Sequence, residues 1–246
     1  LDPHESVFVV FRSPAKTVDP VAAIEPSNAS VLLAENNQMK LHADQNGIYT
    51  VKLVSGKTQT VNINGLQKPL PVNGPWRVEF DGVGLSEPKI IDFKTLTDWK
   101  DHKRDDIKHF SGTATYRTRM NLEESWLNAS QRILLDLGQV EIAAEVIVNG
   151  EPVGILWKPP FQVDITEEVR SGSNDLEIRV TNLWANRLIG DEQLRNTSDY
   201  SKRKPMPEWF INNEPMPEGP RSTFTTYNFY SKDQKLMPSG LLGPVL

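Results

Sequence analysis

The sequence predicts an all-β protein: a small antiparallel β domain followed by a larger β-sandwich. Three observations carry this. Apolar residues recur with period two in short runs, the runs are separated by residues that tolerate positive φ, and helical periodicity is nearly absent over 246 residues.

The first run, ESVFVVFR at 5–12, has the continuous apolar core expected of a buried strand. The stretch from Pro14 to Pro26 reads as a connection. Short strands then follow at 30–34 (SVLLA), 39–43 (MKLHA), 47–54 (GIYTVKLV) and 58–65 (TQTVNING). Asn46-Gly47 and Ser55-Gly56-Lys57 have hairpin turn chemistry, so a meander is expected, forming one domain over 1–70. The three prolines in LQKPLPVNGP (66–75) block ladder hydrogen bonds and mark a boundary.

The second domain, 71–246, opens on WRVEFD (76–81), where Trp76, Val78 and Phe80 alternate with polar neighbours. A polar stretch containing TLTDWKDHKRDDIKHF follows, then the alternating TATYRTRM. Further strand runs are QRILLDLG (131–138), EIAAEVIVNGEPVGIL (141–156), FQVDITEEV (161–169) and NDLEIRVTNLW (174–184), with Asn149-Gly150 at hairpin spacing. Residues 196–239 form a long loop rich in proline and aromatics, and SGLLGPVL closes the chain as a last strand. Trp76, Trp99, Trp126 and Trp157 lie in or beside strands and are expected in the core.

Composition excludes several functions. A net charge of −5 with interspersed signs offers no basic stripe for nucleic acid. The absence of cysteine removes disulfides, thiolate zinc sites and a cysteine nucleophile. No stretch nears 18 apolar residues, and the N-terminal residues lack a signal-peptide pattern, so neither a membrane span nor an export address is expected in this chain. The strand-like run so close to Leu1 suggests a fragment boundary.

Five strings resemble the sugar-binding jelly roll of family 2-like glycoside hydrolases: FSGTATYRTRM (110–120), LLDLGQVEIAAEVIVNGEPVG (134–154), WKPPFQVDIT (157–166), LEIRVTNLWANRLIGDE (176–192) and SGLLGPVL (239–246). They are most similar to the C-terminal region of glycoside hydrolase family 106, the α-L-rhamnosidases. SVFVVFR resembles the small β domain that precedes it, though the likeness is diffuse over 1–70. The resemblance implies a galactose-binding-like jelly roll and a catalytic barrel upstream in the same polypeptide. It also implies a periplasmic or secreted location and no complete active site here.

Glycoside hydrolysis needs two carboxylates about 5 to 10 Å apart across the sugar. Adjacent pairs occur at Asp105-Asp106, Glu123-Glu124, Glu167-Glu168 and Asp191-Glu192, but neighbours on a strand point to opposite faces, so no catalytic residue is assigned. The string TNLWANRLIGDEQ leaves a strand and enters a loop carrying Trp184, Asn186, Arg187 and Asp191. In family 2 enzymes the loop at the similar place reaches the barrel's active site, so these residues are candidates for sugar contacts or barrel docking. The alternative is an internal Arg187–Asp191 pair that staples the loop. Trp209, Phe210, Tyr227, Phe229 and Tyr230 suit a sugar-stacking platform, or equally an anchor that packs the long loop down.

The four histidines lack paired ligand spacing, so no transition metal or other cofactor is expected. A structural calcium ion is compatible with sandwich modules of this kind, although no Asp-rich loop identifies one. No GxSxG, GxxxxGK[ST] or GxGxxG string occurs, and the three N-x-[ST] sequons carry no weight. The expected role is a carbohydrate-associated accessory region. An autonomous carbohydrate-binding module and a purely structural spacer are the alternatives.

Overall fold

The computed structural model describes residues 6–8, 10, 19–33, 39–127, 131–194, 206–219, 221–225 and 229–246. The protein is all-β with little helix, and the chain divides between Pro69 and Leu70 into two compact units.

In the first unit β1 (Val21–Glu25) pairs antiparallel with β4 (Gly47–Leu53), which forms a hairpin with β5 (Thr58–Ile63). A separate hairpin joins β2 (Ala29–Leu33) to β3 (Met39–Ala43). This differs from the expected meander. The run Val21–Glu25, read as a connection, is a strand, and β3 is not paired with β4. At the expected Asn46-Gly47 turn, the Asn46 amide instead grips Leu66, accepting from its N–H at 3.0 Å and donating to its carbonyl at 3.4 Å. The first predicted strand is also corrected. Residues 6–8 and 10 carry no strand, and Phe8 is 95% exposed. An apolar run becomes a buried strand only where a partner ladder and a covering face exist, and periodicity reports neither. The unit's core is small: Tyr49 and Val51 are its buried residues among those described.

The second unit is built on a six-stranded antiparallel sheet in the order β12-β11-β14-β8-β6-β7. These are β6 (Trp76–Val83), β7 (Lys89–Phe93), β8 (Ser111–Leu122), β11 (Ala143–Val148), β12 (Glu151–Leu156) and β14 (Gly172–Thr181). Two short pairs complete the sandwich: β9 (Leu134–Asp136) with β13 (Gln162–Asp164), and β10 (Gln139–Glu141) with β15 (Gly240–Gly243). A one-turn helix, α1 (Asp105–Lys108), precedes β8.

Alternation decides which face is buried. Trp76, Val78 and Phe80 of β6 face Ala114 and Tyr116 of β8 and Leu176, Ile178 and Val180 of β14 in one core. On the outer face a charged row runs Glu79, Arg117, Glu177, Arg179, Glu145, with contacts of 2.7 to 3.1 Å. Exposed pairs of this kind contribute about 0 to 1 kcal/mol each, so the row marks a water-facing surface.

The Asn149-Gly150 hairpin forms as expected, with φ of 53° and 90° at its two turn residues. Trp76 and Trp99 are buried and Trp126 packs partly against the core, but Trp157 is 66% exposed, a correction to its expected place inside. Pro159 and Pro160 follow it and end the ladder there, so no sheet face covers the indole.

The last strand is locked to the core by one hydroxyl. Tyr116 Oη accepts from Trp99 Nε1 at 2.6 Å and from Leu241 N at 3.2 Å, and burial pushes its phenol well above the usual value.

Candidate functional site

The chain leaves β14 at Thr181 and, where the sequence suggested a loop, forms the helix α2 (Ala185–Glu192). Gly190 and Asn186 are poor helix formers, so propensity alone disfavours this segment. Tertiary contacts override it. A Cβ on Gly190 would lie 2.6 Å from His109 Cγ, so the glycine lets α2 approach that imidazole. Ahead of the helix, Asn182 donates to Phe110 O at 2.9 Å and accepts from Gly112 N at 3.1 Å, fixing the exit from the sheet.

Asn186 is buried. Its Nδ2 donates to Met237 O at 2.7 Å and to Ser239 Oγ at 3.0 Å, while its Oδ1 accepts from Met237 N at 2.8 Å. Ser239 N in turn donates to Asp98 Oδ1 at 3.0 Å. The amide therefore behaves as a backbone clamp on residues 237–239.

Asp191 is 0% exposed. Its Oδ2 accepts from Ser222 N at 3.0 Å, Thr223 N at 2.8 Å and Thr223 Oγ1 at 2.7 Å. Its Oδ1 lies 2.8 Å from Arg187 Nη2, one helical turn away, as an ion pair outside hydrogen-bond geometry; Arg187 Nε is buried without a hydrogen-bond partner. Glu192 accepts from Arg221 Nη2 at 2.7 Å. Both carboxylates at the end of α2 are thus engaged by residues 221–223, and they do not face each other across an open space.

His109 sits beneath the helix. Its Nδ1 donates to Asp105 O at 3.0 Å, leaving Nε2 to accept from Gln193 Nε2 at 3.3 Å. Burial holds the imidazole below its ordinary 6.5, the Asp105 carbonyl opposes, and the Arg187 charge adds to the lowering. Between the lowered value and 6.5 the unfolded chain binds more protons than the native one. The His109 contribution is therefore fully present above about pH 6.5 and is lost as the pH falls. His102, also lowered by burial with Arg104 adding, acts in the same direction. Thermal unfolding at pH 7.5, 6.5 and 5.5 is expected to show Tm falling, with a shallower fall in His109→Asn; an unchanged slope in the variant would exclude His109 as a source.

Around these clamps lie apolar side chains. Leu183, Trp184 and Met237 are exposed, and Leu183 and Met237 line, with Ile142, Ala185 and Pro238, a hollow of about 140 Å³. The helix α3 (Glu208–Ile211) carries Trp209 and Phe210, which pack with Phe224 at centroid distances of 4.9 and 5.1 Å. Trp209 meets Phe210 at 89° and Phe224 at 76°, so the rings stand edge to face.

Of the candidate residues, α2 thus brings together Trp184, Asn186, Arg187 and Asp191, and α3 carries Trp209. Tyr230 is half-buried, and Tyr227 lies outside the described residues. Asn182, Asp98, Thr223 and Ser239 were not singled out from sequence. No cluster of three metal-ligating side chains occurs among the described residues.

The chain is similar to several known proteins. The chain is 40% identical over 203 residues to the "Putative beta-glucuronidase" of Formosa agariphila, a match covering 81% of this chain and 17% of that protein. The solved rhamnosidase of Novosphingobium sp. PP1Y superposes with a TM-score of 0.61 at 30% identity, over 84% of this chain and 17% of its own. A β-glucuronidase of an uncultured Clostridium sp. is 22% identical over 46% of the chain, with a TM-score of 0.40. The chain therefore spans about a sixth of the length of the first two relatives. Residues 92–214, half of the chain, match the family described as glycosyl hydrolase 2 galactose-binding domain-like, and the chain belongs to that family.

Proposed function

We propose that this chain is a non-catalytic, carbohydrate-associated region of a glycoside hydrolase of the α-L-rhamnosidase type, glycoside hydrolase family 106. It supports or completes the active site of a catalytic barrel elsewhere in the same polypeptide, in a periplasmic or secreted enzyme. The observation that carries the reading is the inward commitment of Asp191 and Glu192. A hydrolytic pair must face the glycosidic bond from two sides, whereas Asp191 is fully enclosed by Ser222, Thr223 and Arg187, and Glu192 is paired with Arg221.

The aromatic cluster at α3 weighs against an autonomous binding module, because its rings are engaged with one another: Trp209 stands edge to face with Phe210 and Phe224, and Phe210 packs on Phe224 at a tilt of 42°. The 246-residue chain alone is expected to leave p-nitrophenyl α-L-rhamnopyranoside and p-nitrophenyl β-D-glucuronide intact. The longer polypeptide that contains it is expected to cleave the rhamnoside. Turnover by the 246-residue chain would overturn the accessory role, and glucuronide-only turnover by the longer polypeptide would overturn the rhamnosidase assignment.

A further inference from the structure

We propose that His109 is an acid-released latch on α2: a proton on its imidazole sets a second cation against Arg187 and unseats the helix, freeing the segments that α2 clamps while the sandwich core stays folded. The latch is independent of the accessory role proposed above.

His109 caps the C-terminal end of α1, is 5% exposed and lies directly under Gly190. A Cβ at Gly190 would sit 2.6 Å from His109 Cγ and 2.8 Å from Arg187 Nη2, so imidazole and guanidinium crowd one point of the α2 backbone. The neutral ring fits this space. Its Nδ1–H is spent on Asp105 O, and its Nε2 lone pair accepts from Gln193. Protonation adds an N–H at Nε2, where it meets the Gln193 amide donor. Rotation of that exposed amide removes the donor–donor clash but brings no negative charge.

Three charged groups face the ring: Arg187 from α2, and Asp105 and Lys108 from α1. Asp105 is exposed, so water and salt screen its carboxylate. The other nearby carboxylates are committed elsewhere. Asp191 holds Arg187 at 2.8 Å and accepts from Ser222 and Thr223, Glu192 holds Arg221 at 2.7 Å, and Asp106 is paired with Arg104. Arg187 is itself under-compensated, its Nε buried without a hydrogen-bond partner. An imidazolium at this point gains water only if α2 moves away. Burial, with the Arg187 charge adding, holds the ring below its ordinary 6.5, so an open form with a hydrated imidazole binds the proton more tightly and gains population as the pH falls below 6.5. The helix carries both clamps, Asn186 on Met237 and Ser239 and Asp191 on Ser222 and Thr223, so its displacement releases the two segments together.

Hydrogen–deuterium exchange of the 246-residue chain at pH 7.5 and 5.5, each rate divided by the intrinsic rate at that pH, reads the opening. Protection of amides in 186–193, 222–223 and 237–239 is expected to fall several-fold at pH 5.5, where a single imidazole one pH unit below 6.5 supplies about tenfold at most. Core amides in 144–148 and 176–180 are expected to stay at least tenfold better protected than these at both pH values, because the opening is local. His109→Asn keeps a donor for Asp105 O and is expected to abolish the pH-dependent loss in the clamped segments. His102→Asn, at the other histidine lowered by burial, is expected to retain it. Gln193→Glu, at an exposed position, supplies the missing counter-charge; it is expected to hold the latch shut at pH 5.5 and to move the His109 titration, followed by nuclear magnetic resonance, upward. Equal protection of the clamped segments at the two pH values would overturn the proposal, as would a loss that survives in His109→Asn or disappears in His102→Asn. Clamped and core amides with the same protection at pH 5.5 would overturn it in favour of unfolding of the whole unit.

Discussion

Asp191→Ala is expected to destabilise the larger unit by about 3 to 5 kcal/mol, the usual cost of removing one partner from a buried ion pair. The carboxylate has four partners, and all are stranded together: the Arg187 guanidinium, the amides of Ser222 and Thr223, and the Thr223 hydroxyl. In a domain of this size each kcal/mol moves Tm by roughly 2 to 4 °C, so a fall of about 10 °C is anticipated in thermal unfolding. The effect should be asymmetric. Arg187→Ala leaves three donors on Asp191 and is expected to cost less. Protease cleavage near 221–225 should accelerate in Asp191→Ala as the clamp on that segment is lost. A variant within about 0.5 kcal/mol of wild type, the range of ordinary surface changes, would show that the pocket rearranges to satisfy these groups.

Gly240→Ala adds one methyl group and is expected to cost about 3 to 5 kcal/mol, from backbone strain and overpacking combined. Gly240 has φ of +103°, a region that disfavours any side chain, and its Cβ would lie 2.4 Å from Trp99 Nε1. That nitrogen donates to Tyr116 Oη, the same hydroxyl that accepts from Leu241 N. Displacing the indole therefore disturbs the bond that holds β15 to the core as well as the packing. Denaturant unfolding measures the loss, and near-ultraviolet circular dichroism follows the Trp99 environment. Wild-type stability with an unchanged spectrum would mean that the chain can move away from Trp99 at little cost.

The strands that were legible share one feature: a face that meets water and a face that does not. WRVEFD, TATYRTRM and NDLEIRV alternate because β6, β8 and β14 lie inside the main sheet with one side on the core. The β7 run KIIDF was passed over within a polar stretch because an edge strand leaves Ile90 exposed and blurs the alternation. The opening SVFVVFR misled for the converse reason, since a continuous apolar run carries no information about whether anything covers it. Helix α2 was hidden by its own residues. Asn186 and Gly190 argue against a helix locally, and the contacts that favour one reach Met237, Ser239 and His109.

The sequence by itself determined the all-β class, the alternation that selects the core and the Asn149-Gly150 hairpin, because each depends on residues within a few positions of one another. It also brought Trp184, Asn186, Arg187 and Asp191 into one string. Only the tertiary structure decided which way those side chains face. Apart from Arg187, one helical turn away, the partners of Asp191 are 31 and 32 residues distant, and those of Asn186 are 51 and 53. A buried polar group takes whichever donor the fold delivers to it, and no local pattern records that delivery.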